Sequence, residues 1–270
     1  MNNVIIYYSI ATLGTTGVII AFLLSFAAKK FKVESDPRKD LLVSILPSAN
    51  CGACGYPGCE QYAEAILSRD ESITLCKPGG AEVSKKIAQV LGKSIEVSHH
   101  RIVAVVLCSG GNSAKDEFVY EGIKRCDIAN KFYEGQKLCK YGCLGFGDCV
   151  EVCPFDAIYI NKYGVAEVDP MKCTGCGLCL KACPKNIIKL VPCNYQVHIL
   201  CSSKDKGVKV KQICSVGCIG CGICVKSCPI KDIELKENLA VMKYDKCDNC
   251  GVCIEKCPTK CIIDVSKVIV

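Results

Sequence analysis

Thiols crowded into short runs constrain this chain more than any other feature. The stretch "KCTGCGLCLKACPK", Lys172 to Lys185, places cysteines at i, i+3, i+6 and i+10, and the 270-residue chain holds 26 cysteines in all. Runs this tight cannot satisfy themselves as mutual disulfides, whose geometry needs defined Cα separations and directions. Something other than a second thiol must therefore hold the sulfurs.

Two runs in the C-terminal third follow C-x2-C-x2-C-x3-C-P without departure: "CIGCGICVKSCP" (Cys218, Cys221, Cys224, Cys228) and "CDNCGVCIEKCP" (Cys247, Cys250, Cys253, Cys257). This is the spacing that wraps [4Fe-4S] cubanes in pairs, with the fourth cysteine of each run serving the other cluster. It assigns Cys218, Cys221, Cys224 and Cys257 to one cluster, and Cys247, Cys250, Cys253 and Cys228 to the second. Zinc sites pair C-x2-C units and have no such third and fourth cysteine. Between the runs, "DIELKENLAVMKYD" reads as two short strands about a turn.

The opening stretch, with Cys173, Cys176, Cys179 and Cys183, is the second half of an earlier pair. Its partner "CLGFGDCVEVCP" has Cys143, Cys149 and Cys153 but carries Phe146 at the second ligand position. Cys139, four residues upstream, is expected to supply the missing thiolate. The chain then repeats itself: Cys139, Cys143, Cys149 and Cys153 precede Cys214, Cys218, Cys224 and Cys228 by 75 residues, and "VAVVLCSGG" matches "QVHILCSSK", pairing Cys108 with Cys201. An insertion in the first half carries Cys126. Cys108, Cys126, Cys201 and Cys214 are left over. They form either a sixth cluster between the halves or buried free thiols, which pack as small hydrophobes. Cys193 and Cys261 have no counterpart and read as free thiols.

Nearer the N-terminus "CGACGYPGC" and a later cysteine give C-x2-C-x4-C-x16-C: Cys51, Cys54, Cys59 and Cys76. Glu60 to Ser68 reads as a helix after a Gly-rich loop. This is a self-contained one-cluster domain, with zinc as the rival occupant.

Val4 to Ala28 is an uncharged apolar run long enough to span a bilayer, followed by Lys29, Lys30 and Lys32. Positive residues favour the cytoplasmic side, so the N-terminus is expected outside and the cysteine-rich part in the reducing cytoplasm, at the cell (inner) membrane. The formal charge of +7 would fall to about −3 with five cubanes of about −2 each, so the basic residues read as compensation and no nucleic-acid partner is expected. Glycine-rich nucleotide or phosphate fingerprints are absent, so neither flavin nor NAD is expected on this chain, and no catalytic residues stand out. His99, His100 and His198 read as surface or core residues.

The fold class expected is α+β: a transmembrane anchor (1–29), a four-cysteine [4Fe-4S] domain (30–97) and two tandem ferredoxin-like two-cluster modules (98–192 and 193–270), with five clusters and a sixth as the open alternative. The order of parts resembles the B subunit of Rnf complexes, through "CGACGYPGC", "KYGCLGFGDCVEVCPFDAI" and "CTGCGLCLKACP", with the second pair resembling the longer form of the family. Rnf complexes are membrane ferredoxin:NAD+ oxidoreductases that couple electron flow to ion translocation. The resemblance implies an electron-transfer subunit that takes electrons from soluble ferredoxin and relays them to the other, membrane-bound subunits. A membrane-tethered polyferredoxin feeding another redox enzyme is the alternative.

Overall fold

In the computed structural model the first helix, α1 (Asn2–Lys30), covers the whole apolar run. Residues 2–30, 36–95 and 101–267 are described; Lys32, Val97, His99 and His100 lie outside them. Ile10–Ala27 has a mean hydropathy of 2.0 and none of it is buried. Its hydroxyls turn inward: Thr15 Oγ1 donates to the Ala11 carbonyl at 2.8 Å and Thr16 Oγ1 to that of Thr12 at 2.8 Å. Satisfying these groups within the helix leaves its outer surface apolar, as lipid requires. The chain divides into two units, Met1–Leu41 and Leu42–Val270.

Helix α2 (Pro37–Ile45) straddles that division and starts on two local signals. Proline fits the first turn, where its missing N–H is not needed, and the Asp36 carboxylate accepts the Arg38 N–H at 2.9 Å. In the second unit, α3 (Cys59–Arg69) covers the expected Glu60 to Ser68, and α4 (Gly80–Leu91) follows. Leu42, Leu46, Tyr62, Ile66 and Ile87 close a core over Cys76.

The two cysteine-rich halves repeat one design. In the first, β1 (Ile102–Val106), α5 (Cys126–Ala129), α6 (Asp148–Glu151), β2 (Ile158–Ile160), β3 (Ala166–Val168), α7 (Leu178–Ala182) and β4 (Ile188–Pro192) follow in order. The second has β5 (Val197–Ile199), α8 (Gly207–Ile213), α9 (Ile223–Ser227), β6 (Ile233–Lys236), β7 (Leu239–Met242), α10 (Val252–Glu255) and β8 (Ile262–Asp264). Each half is closed by pairing its first strand with its last, antiparallel: β1 with β4 (Ala104 opposite Leu190) and β5 with β8 (His198 opposite Ile263). Inside lies a hairpin, β2–β3 or β6–β7. In the second hairpin Lys236 faces Leu239, so the loop is only Glu237 and Asn238, both at positive φ (47° and 64°). That is the two-residue turn whose twist suits a hairpin.

Cores are thin and the thiols belong to them. Val103, Ile158, Val165, Ile187 and Val191 pack with Cys143, Cys149, Cys173 and Cys179. Val197, Ile199, Ile233, Met242 and Ile262 pack with Cys218, Cys224, Cys253 and Cys261. The halves join where their first strands end. Ser109 N–H donates to the Leu200 carbonyl at 3.1 Å, Ser202 Oγ donates to the Leu107 carbonyl at 2.8 Å, and Lys115 N–H donates to the Ile213 carbonyl at 2.8 Å.

Candidate metal centres

The cysteine runs bend mostly through glycine, with Asn249 (φ 59°) taking its place in the last run. Gly175 and Gly177 sit at φ +67° and +82°, and Gly220 and Gly222 at +65° and +69°. A Cβ on Gly220 would meet the Asn238 carbonyl oxygen at 2.5 Å, so the ligand loop and the hairpin turn approach at a spacing only glycine permits. These bends turn thiols and backbone N–H groups toward common cavities.

Five cavities of about 310 to 430 Å³ are ringed by cysteine. Cys173, Cys176 and Cys179 share one with Cys153. Cys218, Cys221 and Cys224 share one with Cys257, while Cys247, Cys250 and Cys253 share one with Cys228. In all three the fourth cysteine comes from the other run. At the remaining site, Cys51, Cys54 and Cys59 lie near Cys76, whose thiol is pushed up by burial and then by those three neighbours. Asn50 Oδ1 accepts the Cys59 N–H at 2.8 Å and fixes the start of α3 below that loop.

At the irregular site the thiols group otherwise than the sequence suggests. Cys143, Cys149 and Cys183 share their cavity with Cys126, and Cys139 does not line it. Cys139 instead lines a cavity of about 430 Å³ between the halves with Cys108, Cys201 and Cys214, and Cys143 lines both cavities. Cys126 and Cys139 thus exchange the places that the sequence suggests. The cause lies in two departures from the regular run that act together. Where the other runs have Leu178, Ile223 or Val252, this one has Asp148, which is 7% exposed. Its carboxylate accepts the N–H groups of Cys126 at 2.6 Å and Asp127 at 3.0 Å, and so caps α5. Phe146, in place of the lost ligand, packs against Tyr120 with centroids 5.5 Å apart and rings tilted by 42°, and Lys124 Nζ lies 5.5 Å from its ring centroid. The aromatic anchors the insertion and the acid aims its cysteine. Proximity along the chain favours Cys139; the pairing of Phe146 with Asp148 is the signal that points to Cys126.

Cys261, which the sequence suggests is a free thiol, lines the cavity of Cys218, Cys221, Cys224 and Cys257, and its sulfur lies 3.7 Å from that of Cys257. Hydrogen bonding from Cys261 holds the Cys257 and Cys218 thiols below their ordinary value. Cys193 is exposed and lines none of the five cavities. His198 is buried against Tyr244, 3.0 Å from its hydroxyl, in keeping with a core role.

The donors fit iron–sulfur cubanes. In three of the sites a C-x2-C-x2-C run is joined by a cysteine of another run, a ligand set that suits a cubane and differs from the paired C-x2-C units that bind zinc. Burial pushes Cys143, Cys149, Cys179 and Cys201 up to about 12, and Cys139, Cys224 and Cys253 to about 11. A thiolate there needs a bound cationic centre. Backbone N–H groups are already aimed at the sulfurs: Ala104 to Cys173 at 3.3 Å, Cys143 to Cys108 at 3.4 Å and Cys218 to Cys201 at 3.3 Å. These bonds stabilise an anionic cluster and orient its ligands.

Fold and donors together define a multi-cluster ferredoxin-type protein with, among the described residues, one helix of membrane-spanning length. Comparison with known families agrees: residues 46–78 match a model for an Fe-S cluster, and residues 138–187 and 210–258 each match a 4Fe-4S dicluster domain. The chain is 44% identical over 239 residues to the B subunit of a Na(+)-translocating ferredoxin:NAD(+) oxidoreductase complex of Acetobacterium woodii, covering 88% of this chain and 72% of that protein. It is 41% identical to the B subunit of an ion-translocating oxidoreductase complex of Methanosarcina acetivorans (92% and 93% covered). It is 43% identical to the B subunit of a proton-translocating ferredoxin:NAD(+) oxidoreductase complex of Clostridium ljungdahlii (92% and 87%). The chain belongs to the B-subunit family of Rnf-type ion-translocating oxidoreductase complexes.

Proposed function

We propose that this chain is the electron-transfer subunit of an ion-translocating ferredoxin:NAD+ oxidoreductase complex and holds six [4Fe-4S] clusters in one continuous relay. A cluster of this kind takes up and releases single electrons, and the residues decide where. Soluble ferredoxin is the donor, the C-terminal module receives the electrons, and the Cys51 domain passes them to the membrane subunits. Flavin and NAD+ belong to those other subunits. The helix α1 anchors the chain in the membrane with its N-terminus outside, since Lys29 and Lys30 follow the apolar run.

The observation that carries this reading is the cavity of Cys108, Cys139, Cys201 and Cys214. Without it the two modules hold separate pairs of centres. With it the neighbours connect. The Cys143 N–H reaches the Cys108 sulfur, and the Cys218 N–H reaches the Cys201 sulfur. At the far end of the first module, Cys51 adds to the rise that burial gives Cys176, which supports an approach of the one-cluster domain to that module's Cys173 centre. The test is Cys214→Ser in the full chain, reduced by added ferredoxin. The Cys247 and Cys218 centres should still be reduced, and the Cys143, Cys173 and Cys51 centres should not. Unchanged reduction of all of them would remove the inter-module site from the path.

A further inference from the structure

Four residues after the fourth cysteine of every run stands one side chain in the wall of the cavity which that cysteine lines. The four are Ala157, Ile187, Asp232 and Cys261, all of them 1–3% exposed. In the first module the position is aliphatic. In the second it is a carboxylate at the Cys247 centre and a thiol at the Cys218 centre. The position is therefore equivalent in place and different in chemistry, and the difference is confined to the module proposed to receive electrons.

We propose that this wall position sets the potential step between the two C-terminal centres, with Cys261 raising the potential of the Cys218 centre and Asp232 lowering that of the Cys247 centre. The proposal rests on the cluster reading above. Cys257, as an iron-bound thiolate, has no proton to give, so across the 3.7 Å sulfur–sulfur contact Cys261 is the donor. Cys261 is itself buried, which favours the protonated thiol over a second thiolate. Hydrogen bonds to ligand sulfur favour the reduced, more negative cluster and raise its potential. Asp232 acts the other way. Its carboxylate is fixed by three backbone N–H groups, of Tyr244, Asp245 and Lys246, each at 3.2 Å, directly before Cys247. A fixed anion beside a cluster disfavours added negative charge. One electron then passes downhill from the Cys247 centre to the Cys218 centre; no bond is made or broken, and Cys261 keeps its proton. Neither residue is a ligand. Both position the energy of a neighbouring centre.

The test uses the full chain prepared without oxygen, as Cys261→Ala, Cys261→Ser and Asp232→Asn. Iron and sulfide are counted first, and midpoints are then followed by EPR through a redox titration. Iron should be unchanged. Cys261→Ala should lower one midpoint by about tenfold in equilibrium, or about 59 mV for one electron. Cys261→Ser, which keeps a donor, should recover most of that shift. Asp232→Asn should raise a different midpoint. Full iron with unmoved midpoints in Cys261→Ala and Asp232→Asn would overturn the tuning and leave the cluster reading standing. Loss of about four irons in both Cys261 variants would make Cys261 a ligand and overturn it too. A wild-type chain without iron in this module would remove the cluster reading itself.

Discussion

Replacing Asp148 by alanine should empty one centre and spare the rest. The carboxylate ties the irregular run to the two amides that open α5, at 2.6 Å and 3.0 Å. Losing an N-cap costs about 0.5–2 kcal/mol. Here two N–H groups lose a charged acceptor at a site that is 7% exposed, and each such bond contributes about 1.5–3 kcal/mol. The bonds are not additive, and the Phe146–Tyr120 contact still holds the insertion, so about 3 kcal/mol is a fair total, or roughly a hundredfold in the population of loops that present Cys126. Asp148→Asn keeps one acceptor oxygen and should cost about half of that. The assay is iron and sulfide per chain beside EPR of the dithionite-reduced protein. Asp148→Ala should lose about four irons and one signal, and Asp148→Asn should keep most of both. Full iron and an unchanged spectrum in Asp148→Ala would refute the argument that this acid places Cys126.

The remaining expectations are independent of that variant. Cys126→Ser and Cys139→Ser should each remove one EPR signal, and the two signals should differ; the same signal lost in both would return Cys139 to the irregular site. Burial holds His198 down at about 4 from its ordinary 6.5. The unfolded chain therefore binds the extra proton between those values, and stability falls as pH drops through that window, by about 2 kcal/mol from pH 7 to pH 5. Hydrogen exchange of the β5–β8 amides should show this acid sensitivity, and His198→Asn should flatten it; equal slopes would discard the effect. Removing iron with a chelator should unfold residues 101–267 and leave α1 helical, because cluster ligation supplies much of the folding free energy of such thin cores. Sharp cooperative melting of that region in the iron-free protein would contradict this.

The repeat is legible because spacing in sequence is spacing in space when four ligands lie within eleven residues. The hairpin between Asp232 and Asp245 and the helix at Cys59 follow from local pattern and are present, and each fourth cysteine lines the cavity of the other run, as the spacing leads one to expect. Sequence misleads where a partner is distant. Cys126 reaches its site through Asp148, 22 residues on, and no periodicity marks that link. Chain distance alone points to Cys139, because it is the nearest thiol to the gap at Phe146. Cys261 looks unpaired, since the repeat has no cysteine at its place; only the fold shows that the matching residues Ala157, Ile187 and Asp232 face equivalent cavities. The inter-module cavity is foreshadowed by four leftover thiols, of which Cys126 lines a different cavity while Cys139 lines this one.

The central claim is that each of the five cysteine-ringed cavities, the inter-module one included, holds a four-iron cluster, as does the Cys51 domain. Iron and acid-labile sulfide per chain, measured on protein purified without oxygen, test it most directly. Six such groups predict about 24 irons and as much sulfide. A count of about 20 would leave Cys108, Cys139, Cys201 and Cys214 as free thiols, and stoichiometric zinc with few irons would contradict the account.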